Sequence, residues 1–377
     1  MTPVAEAPGP FGVYIHVPFC AHRCDYCAFA TWTDRHHLTE AYLDAVRVEI
    51  ERAVTAGMPT ATSIFVGGGT PSMVPGDALG AVLDAVPIVA DAEVTVECNP
   101  DAVSAELFAA YRRHGVTRIS LGVQSMVPHV LAALGRTHDP ANVARAVAHV
   151  RDAGFDSFNL DLIYGAVGES PADWAATLGE TLALEPPHVS AYGLTVEAGT
   201  PLAATPERHP DDDDQADKYE QADDALAAAG LANYEISNWA RSGHECRHNL
   251  LYWAQGNYLG FGCAAHSHQA GRRWWNVRTP ERYIDLVTAG EPVEAAAEVL
   301  DAPTRSFERL ELALRTRDGV PAGALDTDGL DGLVEPRNER VVLTRKIFLN
   351  WPEKTQEMLR NQHFMMVLHK MLKNGSK

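Results

Sequence analysis

Three cysteines stand within eight residues of "HVPFCAHRCDYCAFA" (residues 16–30): Cys20, Cys24 and Cys27, spaced C-x3-C-x2-C. The chain has six cysteines in all, so half are crowded into one loop. Thiols at that density do chemistry of a few kinds. A disulfide framework suits short secreted chains, but "MTPVAEAPGP" at the start lacks the basic and apolar regions of a secretory signal, so the expectation is a cytoplasmic protein with reduced thiols. A structural zinc ion takes four ligands, usually two pairs a dozen or more residues apart, and no second pair stands at such spacing. Burial as a small hydrophobe suits isolated cysteines such as Cys98 and Cys263, and three in eight residues are too dense for it. Three thiolates can instead hold three irons of a 4Fe-4S cluster and leave the fourth without a protein ligand, whereas electron-transfer clusters usually take four cysteines. An open iron is a binding site.

Such a loop has to be held by regular elements. Six apolar runs rich in β-formers recur: "GVYIHV" from Gly12, "SIFVG" from Ser63, "EVTVEC" from Glu93, "RISLGV" from Arg118, "FNLDLIY" from Phe158 and "HVSAYGL" from His188. Between them, stretches such as "LTEAYLDAVRVEIERAV" have helical period. Alternating strands and helices predict a parallel sheet with right-handed crossovers, an α/β fold read as a partial (β/α)6 TIM-like barrel, with a doubly wound sheet as the alternative. "GGGTPS" (67–72), "ECNPD" (97–101), "VQS" (123–125) and residues 161–165 all lie at carboxyl ends of predicted strands, as the cysteine loop does, and that is the catalytic face of such barrels. The glycines allow close backbone approach to an amino or carboxylate group, or simply form a tight turn. Glu97, Gln124, Arg136 and Asp161 offer acceptors and donors suited to ribose hydroxyls and a carboxylate.

C-x3-C-x-Y-C after "YIHVPF" resembles the motif of the radical S-adenosylmethionine (SAM) superfamily, where the amino and carboxylate groups of SAM chelate the open iron. One electron then cleaves SAM to methionine and a 5′-deoxyadenosyl radical. "YIHVPFC", "GGGTPS", "GVQS", "LGRTH" and "NLDLIYG" together resemble the SAM site of oxygen-independent coproporphyrinogen III oxidase relatives, from about Gly12 to Trp275. The resemblance implies that Cys20, Cys24 and Cys27 ligate the cluster, and that Tyr14 and Tyr26 pack near it. It implies SAM contacts at Gly68, Gly69, Thr70, Glu97, Gln124, Arg136 and Asp161, with a further one near Thr195.

Two branches of that family differ after the triad. The coproporphyrinogen dehydrogenases carry a fourth cysteine in a C-G-C pattern, where this chain has Ala28 and Phe29. The HemW-type heme chaperones lack it and carry H-N-x-x-Y-W, here "HNLLYW" with His248, Asn249, Tyr252 and Trp253. The resemblance therefore implies a protein that binds heme as well as the SAM-ligated cluster and delivers heme to acceptor apoproteins such as respiratory enzymes. Radical decarboxylation of coproporphyrinogen III is the alternative. A heme site needs an axial donor and apolar walls; "ECRHNLLYWAQGNYLGFGCAAHSH" supplies His244, His248, His266 and His268, and the resemblance favours His248. A histidine in such a stretch is also a natural core residue, and His244, Cys246 and His248 are a conceivable small zinc site.

The expected organisation is a radical SAM barrel over 1–205, a family-specific extension over 206–300, a winged-helix-like module over 301–344 and an atypical basic tail over 345–377. The barrel is thus followed by a smaller α+β region. The four-aspartate run at 211–214 is expected to open a helix, its carboxylates complementing the N-terminal dipole. Five of the six lysines and four of the eight methionines fall in the last 32 residues, a composition foreign to the rest. A net charge of −19 argues against a general nucleic-acid binder, and no apolar run of 18 residues suggests a membrane span.

Overall fold

The computed structural model describes residues 9–345 apart from 326, 328, 329 and 331; the lysine-rich tail from 346 lies outside the described residues. All six expected strands form: β1 (Phe11–Val17), β2 (Ala61–Gly68), β3 (Ile88–Cys98), β4 (Arg118–Gln124), β5 (Ser157–Tyr164) and β6 (His188–Gly193). They lie side by side in sequence order, every neighbouring pair parallel. The connections run through α1 (Thr39–Thr55), α2 (Gly76–Asp84), α3 (Ala105–Arg113), α4 (Pro128–Ala133) with α5 (Ala141–Asp152), and α6 (Pro171–Ala183).

One face of these strands is apolar and the other polar, and this division positions the site. Val13, Ile15, Val17, Val94, Val96, Ile119, Leu121, Leu160 and Leu162 belong to the main hydrophobic core. The alternate residues, including Tyr14, Glu97, Arg118, Ser120, Asn159, Asp161, His188 and Ser190, line a cavity of about 580 Å³. Side chains alternate between faces along a strand, so the packing of one face dictates what the other presents.

The sheet continues beyond the parallel block on both sides. After α7 (Asp212–Ala228), β7 (Ala232–Glu235) and β8 (Asn238–Ala240) add antiparallel strands beyond β6. After α8 (Arg247–Trp253), β9 (Asn257–Phe261) pairs parallel with β1, and β10 (His266–Gln269), β11 (Arg272–Asn276) and, following α9 (Pro280–Ala289), β12 (Glu294–Val299) extend it antiparallel. The strands of residues 206–300, the expected family-specific extension, share one twelve-stranded sheet with the six parallel strands. The final module consists of α10 (Ala302–Leu314) and a three-stranded antiparallel sheet of β13 (Val320–Pro321), β14 (Val334–Arg337) and β15 (Arg340–Leu343), with its own small core around Leu314, Val320 and Val341.

The aspartate run opens α7: the Asp211 side chain accepts from the Asp214 amide at 2.9 Å. It is more than a solvated cap. Asp214 also accepts from Lys218 Nζ at 2.6 Å, and Lys218 lies 3.1 Å from Glu169, both side chains almost fully enclosed. Glu169 in turn accepts from the Gly165 amide at 2.6 Å, which anchors the loop after β5 to α7. A buried cation with two carboxylates tolerates loss of one partner poorly, since the remaining charge would stay desolvated.

Candidate cluster and cofactor site

The cysteine loop leaves the carboxyl end of β1 and is tied at several points. Gly69 and Thr70 amides donate to Val17 and Phe19 carbonyls at 2.7 and 2.8 Å, and Cys20 N donates to Trp32 O at 3.1 Å. These contacts explain the glycines of "GGGT". A Cβ on Gly69 would stand 2.6 Å from the Phe19 carbonyl oxygen, and one on Gly68, whose φ is +110°, 2.4 Å from the His16 ring. Both are required by the approach of the β2 loop to the β1 loop, whatever ligand sits above them.

His16 fixes the other side of the loop. Its Nε2 bonds the Ala30 carbonyl at 2.9 Å, which can only accept, so Nε2 carries the proton and Nδ1 accepts from Tyr14 Oη at 3.0 Å. Burial pushes the His16 pKa down to about 4, so this neutral tautomer persists at physiological pH.

All three thiols are free. Thr70 Oγ1 donates to Cys20 Sγ at 3.5 Å, and Arg136 Nη1 donates to Cys24 Sγ at 3.6 Å while its Nη2 holds the Gly122 carbonyl at 2.9 Å. Burial raises the pKa values of Cys20 and Cys27, and the neighbouring thiols of the triad raise them further. Three adjoining sulfurs, with Cys20 and Cys27 resisting ionisation and a guanidinium facing Cys24, fit a cationic iron core that would neutralise them. Among the described residues no three His, Cys, Asp or Glu side chains converge as one metal ion would require. A cubane needs no such convergence, because each thiolate sits on its own iron. The small zinc site considered for His244, Cys246 and His248 has no such support: Cys246 Sγ donates to Glu93 Oε1 at 3.5 Å instead.

Glu97 and Asp161 lie together in the cavity. Burial, then the nearby Asp161, raises the Glu97 pKa to about 8, against a contact from the Gly68 amide at 3.3 Å. Burial also raises that of Asp161, which accepts from Ser120 Oγ and Asn159 Nδ2, both at 2.7 Å. Gln124 ends β4 at φ 65°, in the left-handed region, where the ladder with β5 shifts register. Tyr26, whose hydroxyl is kept protonated by burial, packs on the small apolar cluster that includes Leu134 and Leu194. Thr195 donates to the Gly193 carbonyl at 3.3 Å, just past β6.

His248 sits differently from the expectation of a heme contact. It is 0% exposed and stacks on Phe65. Its Nδ1 bonds Ser63 Oγ at 2.9 Å and its Nε2 bonds Tyr252 Oη at 2.8 Å, leaving neither nitrogen free. Burial pushes its pKa down to about 3, so it stays neutral. Glu93 accepts from the amides of Arg247 and His248, both at 3.0 Å, and so holds the first turn of α8. Of the "HNLLYW" motif, Asn249 and Tyr252 line the cavity.

The radical SAM superfamily model matches residues 14–180. The heme chaperone HemW of Mycobacterium tuberculosis is 42% identical over 362 residues, covering 90% of this chain and 93% of that protein. Its namesake in Escherichia coli K12 is 41% identical over 319 residues, covering 81% and 84%. The chain belongs to the HemW family of the radical SAM superfamily. The HemW of Bacillus subtilis is 34% identical with the same coverage, 81% and 84%. Coproporphyrinogen III oxidase, HemN, of E. coli superposes with a TM-score of 0.78 over 90% of this chain and 88% of that one, at 22% identity, which establishes a common fold.

Sequence reading placed the HemW-family motifs but missed the inner polar residues Arg118, Asn159, His188 and Ser190, which share the cavity with Glu97 and Asp161. The signal was present as polar residues at period two in "RISLG", "FNLDL" and "HVSAY".

Proposed function

We propose that this chain is a heme chaperone that carries a SAM-ligated 4Fe-4S cluster and passes heme to acceptor apoproteins, respiratory enzymes among them. The observation that carries the reading is the single cavity. Phe29 from the cysteine loop, Gly68, Glu97 and Asp161 from the barrel strands, and Asn249 and Tyr252 from "HNLLYW" line one space. Residues proposed for SAM and those that mark the family's own segment therefore face each other.

Cys20, Cys24 and Cys27 would hold the cluster, which when bound supplies one-electron chemistry and an iron open to SAM. The protein's own groups do the rest. Arg136 offsets charge at Cys24 and braces Gly122. Glu97, largely protonated at neutral pH, offers both a donor and an acceptor to a ribose diol, and Asp161 is oriented by Ser120 and Asn159. Gln124 would contribute an amide on the Gly122 side, near Arg136. Tyr14, Tyr26, Gly68, Gly69 and Thr70 shape the approach to the cluster loop. With Ala28 and Phe29 after Cys27, no fourth thiol stands in this loop.

The test is transfer. Protein reconstituted anaerobically with iron, sulfide and SAM, then loaded with hemin, should convert an apo-cytochrome to its holo spectrum faster than free hemin at equal concentration. Equal rates would refute the chaperone reading, and protoporphyrinogen formed from coproporphyrinogen III with SAM and a reductant would replace it with the oxidase.

A further inference from the structure

The four histidines of the family-specific segment are not equivalent in the structure. His248 has both nitrogens bonded in the core. His268 is equally committed: the Gly271 amide donates to its Nε2 at 3.2 Å, so its Nδ1 carries the proton given to the Gly256 carbonyl at 2.8 Å. His244 bonds Ser157 Oγ at 3.3 Å and does not line the cavity. His266 does line it, and its ring nitrogens have no hydrogen-bond partner among the described residues.

His266 is also held in place without being used. It stacks on Trp275, its cross-strand partner between β10 and β11, with ring centroids 5.6 Å apart and planes 25° apart. The turn before it is strapped from both sides. Asn276 N donates to the Ala265 carbonyl at 3.0 Å, and Asn276 Nδ2 donates to Gly262 O at 2.9 Å. Half-buried Glu49 of α1 accepts from the Gly262 amide at 3.2 Å and from Tyr283 Oη. A Cβ on Gly260 would lie 2.1 Å from the His266 carbonyl oxygen, so the glycine lets β9 and β10 close at this point. Preorganisation of this kind suits a ligand side chain, whose orientation has to be set before the metal arrives.

The surroundings match a macrocycle with carboxylate arms. His266, Arg278 and Phe29 all line the cavity and are exposed, Phe29 to 63%. Arg278 has no ion pair or hydrogen bond among the described residues, which leaves its guanidinium for a propionate. Tyr252 and Tyr258, ring centroids 4.6 Å apart, give an aromatic wall.

We infer that His266, and not His248, is the axial ligand of heme, with Arg278 taking a propionate and His248 serving to position Tyr252. Ligation means that a ring-nitrogen lone pair replaces water or chloride on hemin iron, with no change of oxidation state. Partial desolvation, with Arg273 nearby, lowers the His266 pKa, so the free base is the resident form near neutral pH. The inference rests on the chaperone reading and assigns its ligand.

Hemin titration of the full chain followed by Soret absorbance and resonance Raman is the test. His266→Ala is expected to weaken hemin by roughly tenfold or more, since a lost metal–ligand bond should exceed the 10- to 100-fold cost of disturbing an outer-shell partner. It should also lose the histidine-ligated spectrum, which added imidazole should restore. His248→Ala should keep that spectrum. Unchanged ligation in His266→Ala, or its loss only in a folded His248→Ala, would overturn the assignment while leaving the chaperone reading intact. No hemin bound by the unsubstituted protein would remove both.

Discussion

Glu97 shows how burial changes the chemistry of an ordinary side chain, and the change has a measurable sign. In an unfolded chain it titrates near 4.5, in the folded protein at about 8. Between those values the folded state holds a proton that the unfolded state has released, so this stability is complete below pH 4.5 and is lost as pH rises through 8. Each pH unit of that interval costs about 1.4 kcal/mol. Glu97→Gln is expected to flatten this slope in urea unfolding measured from pH 5 to 8 and to be relatively more stable at the alkaline end. Parallel pH profiles for the two proteins would contradict the buried, Asp161-coupled placement. The sequence made Glu97 and Asp161 legible because they stand toward the carboxyl ends of predicted strands, on the face where the cysteine loop also leaves its strand. It did not reveal that His248 is fully occupied: Tyr252 stands four residues on along α8, but the second partner, Ser63, is 185 residues away and meets it only through the fold.

At the scale of elements, the junction of β1, the cysteine loop and the β2 loop has no spare room. Gly69→Ala places a methyl against backbone atoms of Phe19 and Val17, at 2.6 to 2.9 Å, where neither flank has a flexible side chain to yield. Overpacking of this kind typically costs about 1–3 kcal/mol. We expect a lower unfolding midpoint together with a loss of iron bound by the reconstituted protein, read by chemical denaturation and iron analysis. A variant with normal iron and stability would show that the loop accommodates a side chain. The six parallel strands were legible because apolar runs alternated with helical period. The strands from Asn257 to Asn276 were not, because they are short and rich in His, Arg and Trp, and because β9 finds its partner β1 almost 250 residues away. Register across such a distance leaves no local trace.

At the scale of the whole molecule, one continuous sheet carries both the strand that leads into the cysteine loop proposed to hold a cluster and the segment proposed to hold heme, and the two proposed sites draw on separate ligands. No helix among the described residues is long and apolar enough to cross a membrane. The net charge is −19, and the cavity walls carry Glu97 and Asp161 as well as Arg118 and Arg278. Separate ligands make the central claim directly measurable. Iron, acid-labile sulfide and hemin should be determined together on anaerobically reconstituted wild-type protein and on Cys24→Ala. The account predicts about four irons per wild-type chain plus one hemin, and in Cys24→Ala loss of cluster iron and sulfide with hemin retained. A folded Cys24→Ala protein that loses both cofactors, or wild-type protein that takes up zinc in place of the cluster, would contradict it.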